Sequence, residues 1–525
     1  MKAWSLRPTE AAVVATTIFF FLSTMALPAA TALVEHTFVV SQMKMTHLCK
    51  ETLVTVVNGQ LPGPTIEVTE GDSVAVHVVN KSPHNITIHW HGVKQRMNCW
   101  NDGVPMVTQC PIQPNQNFTY RFNVAGQEGT LWWHAHCFDS EGVAEDGYVL
   151  DVDPGKTYLL RIINTGLFSE FFLKIAGHRF TVVGSDANYV SPYTSDLIVI
   201  APGETVDALV VADAPPGNYY MVAMPNQAPL PDTQTPEPST RGMVRYKNKD
   251  HIVEGGSTSN VPVAPVMPDQ HDVVLSLYFH SNLTSLQHQR HPPPPVPTRV
   301  DEHMFVTLGL GTVCRRGQTC NKKTINETIL VATMNNVSFQ LPTTPLLEAH
   351  YHHTGVEDAL LELPDKPPRV FNFTDISLIP IGPKERLLET TSRATLARWF
   401  QYGSVVEIVF QGTAILQGDS NPMHLHGHDM FVLAQGIGNF DATKDVARYN
   451  LVNPPLKNTV VVPNLGWVAI RFVTNNPVFI VEDGPTVDTS LPPQPVDFPS
   501  CSRNIMPDEY YFQTPEIKVP RIDGL

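Results

Sequence analysis

After its first 30 residues the chain has no uncharged apolar run of about 18 residues, so no later segment is expected to cross a membrane as a helix. Positive charge is scarce. Lys and Arg number 35 against 50 Asp and Glu, a formal net charge of −15, which should repel nucleic acid and acidic membranes and leave small molecules as the expected partners. Seven cysteines in 525 residues are too few for a small disulfide-stapled scaffold. There is no Gly-x-Ser-x-Gly elbow, no His-Glu-x-x-His and no phosphate-binding Gly-rich loop, which removes the common hydrolase, zinc-protease and nucleotide-binding signatures. The acidic pairs Glu145/Asp146 and Asp151/Asp153 read as solvated turn charges, not as a glycosidase dyad.

With 42% apolar and 16% charged residues, the composition is too apolar for a disordered chain, and 46 prolines are too many for a helical bundle. Short alternating runs such as Thr65 to Val68 and Ser73 to Val78, separated by Glu70-Gly71-Asp72 and preceded by Asn58-Gly59 and Pro62-Gly63-Pro64, predict β-strands joined by turns. The spacing recurs to the C-terminus, with brief helical patterns such as Thr391 to Phe400. The fold expected is all-β, a series of antiparallel sandwiches, and the length allows two to four domains. Pro-rich stretches at Ala228 to Pro238 and His291 to Pro297 read as loops, and residues 251–300 as a linker.

Lys2 and Arg7 precede the apolar stretch Ala11 to Leu27, which ends in Ala29, Ala30 and Thr31, the layout of a secretory signal over residues 1–30. Secretion permits disulfides. Seven Asn-x-Ser/Thr sequons, at Asn80, Asn85, Asn117, Asn282, Asn326, Asn336 and Asn372, agree with that route.

The chain repeats itself once in an informative way. Ile86 to Gly92 (ITIHWHG) is echoed by Asn421 to Gly427 (NPMHLHG), both ending His-x-His-Gly, and the first copy is followed by Trp132-Trp133-His134-Ala135-His136. On a strand, residues i and i+2 share a face, so His89/His91, His134/His136 and His424/His426 each present two imidazoles together. Six imidazoles exceed what one tetrahedral ion needs and point to a metal cluster, although ligand type alone leaves copper, zinc, iron and nickel open. His350/His352 is read as a chance pair, and His428 as part of the pocket wall. A second His-x-His is expected after Thr474-Asn475-Asn476-Pro477, but no histidine follows His428.

These motifs resemble the plant laccases, secreted multicopper oxidases built from three cupredoxin-like Greek-key β-sandwich domains. The resemblance rests on His89-Trp90-His91-Gly92, Trp100-Asn101-Asp102-Gly103 with Thr108-Gln109-Cys110-Pro111-Ile112, Trp132 to His136, Gly155 to Asn164, and Met423-His424-Leu425-His426-Gly427-His428, and covers nearly all of the mature chain. It implies four copper ions: a mononuclear blue (type 1) ion that takes electrons from phenols such as lignin precursors, and a trinuclear cluster that reduces O₂ to water. His89 and His424 would hold the type 2 ion, and His91, His134, His136 and His426 would serve the type 3 pair. Asp102 matches the acid that relays protons there; as a residue it also reads as a turn cap before Gly103. Domains would run 31–136, 137–250 and 301–525 around the linker. Cys110 would pair with Cys501, Cys314 with Cys320 and Cys49 with Cys137, leaving Cys99 free. An extracellular, apoplastic monomer is implied.

The chain departs from the family twice. The His-Cys-His segment that supplies two type 3 imidazoles and most of the blue site is missing after Pro477, and position 421, where the family has another blue-site histidine, is Asn. Cys501, with no histidine beyond it, is no substitute, so the type 1 ion is not expected to bind. After His136, Cys137 to Asp146 leads almost at once to Tyr148-Val149-Leu150-Asp151, which resembles a strand well inside domain two. Two losses with intact family sequence on both sides suggest skipped exons or a faulty gene model. Open sheet edges and weak or absent turnover are expected.

Overall fold

The computed structural model describes residues 32–47, 50–136, 148–166, 169–227, 239–247, 261–287, 292–314, 328–353, 360–379, 391–416, 421–476 and 493–501. The signal sequence expected over 1–30, Cys49, Cys137, Asn326 and residues 477–492 lie outside the described residues.

The first unit is a β-sandwich. Its strands are β1 (Leu33–His47), β2 (Lys50–Val57), β3 (Ser73–Asn80), β4 (Thr87–His91), β5 (Asn117–Asn123) and β6 (Trp132–His136). One sheet runs β2-β1-β3-β5 and the other layer is the pair β4-β6. In β5 the inward residues are Phe118, Tyr120 and Phe122 while the alternate positions face outward, the two-residue period that the sequence carries. They meet Phe38, Val76, Val78, Ile88 and Trp90 in one core.

The second unit stacks the sheet of strands 188–195, 180–185, 205–211 and 157–163 on that of strands 198–200, 171–175, 218–225, 240–246 and 149–152. A helix, Val273–Ser281, is capped by Asp272, whose carboxylate accepts from the Leu275 N–H, and it sets Phe279 into this core. The third unit is an eight-stranded sheet with a separate pair of strands, Asn421–His424 and Thr459–Val462, packed on Met304, Val306, Val406, Phe410, Val468, Ile470 and Phe472. No described helix is long and apolar enough to cross a membrane.

Two features differ from the sequence reading, and a third, an open sheet edge, agrees with it. Residues 392–394 and 396–397 are short strands, not a helix: they pair with 337–339 and 361–362, and this tertiary pairing overrides the local pattern. The sheets are not purely antiparallel, because β1 lies parallel to β3 and strand 302–308 lies parallel to 406–412; a chain that crosses between layers returns beside an earlier strand in the same sense. Strand Thr157–Ile163 pairs only with Thr205–Val211 among the described residues, whereas β3 has partners on both sides. None of its side chains is fully buried, and Leu159 is 44% exposed.

Candidate metal centre

Antiparallel pairing of β4 with β6 puts His89 opposite His134 and His91 opposite Trp132. The loop after β4 returns so closely that a Cβ on Gly103 would stand 1.8 Å from the Ile88 carbonyl oxygen, and Gly103 sits at φ +81. Only glycine fits there. That approach delivers Asp102, fully buried, beneath the histidines. Its carbonyl accepts from His89 Nδ1 at 2.7 Å and its carboxylate from His426 Nδ1 at 3.1 Å. Its own N–H donates to Cys99 O, closing the turn over 99–101, so the turn position expected of Asp102 is present, and its histidine contacts stand beside it.

In the third unit, strand Asn421–His424 pairs with Thr459–Val462, with His424 opposite Thr459. His424 Nδ1 lies 2.8 Å from Asn458 O, and Thr459 Oγ1 lies 2.8 Å from His91 Nε2 and 3.1 Å from His424 Nδ1. Five imidazoles from three strands and one loop thus converge. The His89 ring centroid is 5.3 Å from that of His134 and 4.3 Å from that of His426, and His91 stacks on His424 at 3.7 Å. Nitrogen atoms of His89, His424 and His426, and separately of His89, His91 and His134, lie within 4.8 Å of one another, a spacing that can hold metal ions. His136 ends β6; its side chain lies outside the described residues.

The hydrogen bonds fix which ring nitrogen faces inward. A carbonyl only accepts, so His89 and His424 carry hydrogen on Nδ1 and offer the Nε2 lone pair; the Asp102 carboxylate sets His426 the same way. His424 Nε2 is buried with no hydrogen-bond partner among the described residues, an unusual cost unless a metal takes its lone pair. Burial first, and repulsion from neighbouring histidines second, push His89 and His424 well below the usual imidazole range. Burial lowers His134 to about 4. Uncharged imidazoles at neutral pH are the form that metals bind. These donors fit copper, and softer thiolate ligands are absent from the described cluster.

Other sequence candidates sit apart. His428 donates from Nδ1 to His426 O and packs edge-on to Phe472, and burial lowers its pKa. His350 lies beside Trp399 and His352 contacts Gln494, away from the cluster. Cys110 and Cys501 form a disulfide, Cys99 is a free buried thiol, and Cys314 is disulfide-bonded, with Cys320 outside the described residues. Sequence reasoning missed Asn458 and Thr459, common residue types that carry no motif.

Multicopper oxidase family profiles match residues 39–149, 110–249 and 362–481. The chain is 55% identical to Laccase-15 of Oryza sativa subsp. japonica, covering 92% of this chain and 96% of that one, and 47% identical to Laccase-19 of the same subspecies, covering 90% and 94%. The first alignment spans 583 positions, more than the 525 residues here, so the rice protein holds sequence with no counterpart in this chain. Among solved structures, a laccase from Botrytis aclada superimposes with TM-score 0.59 at 24% identity, covering 85% of this chain and 84% of that one. Fet3p, described as a multicopper oxidase that functions in iron import, gives 0.61 at 18%, covering 85% and 86%. These two likenesses speak for the fold. The rice relatives, aligned over nine-tenths of the chain, make it a member of the plant laccases, within the multicopper oxidases.

Proposed function

We propose that this chain is a secreted, apoplastic laccase by descent whose trinuclear copper site is largely retained and whose type 1 site is lost. His89 and His424 hold the type 2 ion, and His91, His134, His136 and His426 serve the type 3 pair. The signal occupies 1–30, the domains run 31–136, 137–250 and 301–525 with a linker at 251–300, and the mature chain is a monomer. The reading rests above all on one observation: five histidines from the two ends of the chain meet, and four of them, His89, His91, His424 and His426, have a ring nitrogen already tied to Asp102, Asn458 or Thr459. Second contacts of this kind orient ligand rings and raise their basicity.

Bound copper supplies one-electron redox chemistry and the place where O₂ becomes water. The protein's part is to hold the rings, keep them uncharged and move protons. Asp102 holds His426 through its carboxylate, and with Oδ1 3.6 Å from His89 Nδ1 it spans two histidines as a buried proton carrier. Electrons from phenols have no evident intake, since Asn421 cannot ligate as the family histidine does and no histidine follows His428. A second reading, a copper-binding cupredoxin-like relic without oxidase activity, is favoured by the same two facts.

Metal analysis of the purified chain with an electron paramagnetic resonance spectrum is the test. Bound copper without a blue absorption band, and with phenol-dependent O₂ uptake at or near background, is expected. A blue band with sustained uptake overturns the loss of the type 1 site; a chain that takes up no copper overturns the whole reading.

A further inference from the structure

Among the described residues the second β unit lends no histidine to the cluster, yet one of its turns reaches the residues that orient two of them. Asp186 and Ala187 form the tip between strands 180–185 and 188–195, both at positive φ (+48 and +58). Alanine is a poor occupant of that region, and the first unit presses on it: a Cβ on Gly129 would stand 3.0 Å from Ala187 Cα. Strain of this kind is kept where the surroundings demand one geometry.

The Asp186 carboxylate, fully shielded from solvent, is divided between two units. Oδ1 accepts from Thr205 N–H at 2.9 Å within its own unit, and Oδ2 accepts from Thr459 N–H at 3.1 Å in the third. Lys457, 4% exposed, lies 3.3 Å from the same Oδ2 and 3.1 Å from Glu204 Oε1, and donates to Ser185 Oγ at 2.7 Å. Glu204 is fixed by the Ala201 N–H at 2.8 Å. A buried cation between two carboxylates, each also hydrogen-bonded to backbone, has the satisfied partners that burial of charge requires. Between Lys457 and Thr459 lies Asn458, whose carbonyl receives His424 Nδ1. The Thr459 hydroxyl donates to Asn458 Oδ1 at 3.0 Å, which leaves its lone pairs to receive His91 Nε2–H. His91 therefore presents Nδ1 inward while His89, His424 and His426 present Nε2. On the other side, Gly203 at φ +85 passes close enough that a Cβ would stand 3.2 Å from His91 Cε1.

We propose that Asp186 is a positioning residue for the histidine cluster: with Lys457 and Glu204 it locks Asn458 and Thr459, and through them fixes the orientation and tautomer of His91 and His424. The inference rests on the copper-binding reading above. It gives the second unit a role in the metal site although none of its described histidines belongs to the cluster.

The full chain is titrated with copper(II) against a competing chelator, and its electron paramagnetic resonance spectrum is recorded, for the wild type and four variants. Thr459→Val keeps the shape and the backbone N–H but loses the hydroxyl; Asp186→Asn weakens the lock. Each is expected to bind copper about 10–100-fold more weakly, with altered hyperfine splitting. Thr459→Ser, which keeps the hydroxyl, restores both. Glu170→Gln, in a buried pair with His280 of the same unit, lowers the unfolding temperature and leaves affinity and spectrum unchanged. If the wild type binds copper and Thr459→Val and Asp186→Asn match it in affinity and spectrum, the positioning role is wrong while the copper site stands. If Glu170→Gln weakens copper as much as Asp186→Asn does, the role is only structural and the proposal fails. If the wild type binds no copper, the reading beneath it has failed as well.

Discussion

His91 and His424, from opposite ends of the chain, stack with ring centroids 3.7 Å apart and planes 22° from parallel. Two protonated rings cannot share that contact cheaply in a buried site, and burial and then His91 hold His424 well below its usual pKa. The consequence is a stability that depends on pH. His89, His134 and His424 bind protons less readily folded than unfolded, so between about pH 6.5 and 4 the unfolded chain takes up more protons and stability falls with pH. His134, lowered from 6.5 to about 4, accounts on its own for a loss on the order of 3 kcal/mol. Asp186, raised to about 6 by burial, opposes this by favouring the folded state as pH falls through 6 towards 4, but it stands against four lowered histidines, His428 being the fourth. The thermal midpoint of the copper-free chain is expected to drop steadily from pH 7 to pH 4; a flat or rising profile would contradict the buried, uncharged histidines.

The part of the site that the sequence reveals is the part with a short period. His89 and His91 share a face because a strand alternates, and the repeat at His424 and His426 follows the same rule. Asp102 is marked by its match to the family's acid within Trp100 to Gly103, whereas its residue type beside Gly103 suggests only a turn cap. Asn458, Thr459 and Lys457 escape notice because their role exists only where separate units meet, and nothing local distinguishes them from any strand of Asn, Thr and Val. The same blindness explains the helix expected at Thr391 to Phe400: its periodicity was local, while the pairing with 337–339 that makes it a strand was not.

Asp102 serves His89 through its backbone carbonyl and His426 through its side chain, and substitution can separate the two. Asp102→Asn keeps the carbonyl and removes the carboxylate. The ion assigned to His89 and His424 should persist in the resonance spectrum. Binding at the pair that uses His426 should weaken about 10–100-fold, seen as less copper per chain. Equal loss at both would mean that Asp102 supports the loop and does not discriminate between the histidines.

Gly103 offers a sharper test of the loop. Gly103→Ala combines a left-handed backbone with a Cβ 1.8 Å from Ile88 O and 3.1 Å from His89 Cα, backbone atoms that can move only by shifting β4. A cost of roughly 2–5 kcal/mol and loss of copper binding are expected. Gly126→Ala shares the positive φ but meets nothing within 4 Å, so it should cost about 1 kcal/mol and leave copper binding intact. Chemical denaturation and metal analysis of the two variants give the comparison.

The disulfide from Cys110 to Cys501 ties the C-terminal segment to the first sandwich, where Phe498 packs against Trp100 and Phe118 at 5.1 and 5.9 Å. Closing so long a loop restrains the unfolded chain, and loss of such a bridge costs about 2–5 kcal/mol. Cys110→Ser with Cys501→Ser should lower the unfolding free energy by that amount, read from chemical denaturation. It should also shift Trp100 emission to the red, as Phe498 leaves a ring that is now 1% exposed. Cys99 is the built-in control. Burial pushes its thiol up to about 12, so it should stay unreactive towards thiol reagents in the native protein. In the double variant, the loosened turn over 99–101 should let Cys99 react faster. An unchanged labelling rate together with unshifted Trp100 emission would show that the first sandwich holds this segment without the bridge.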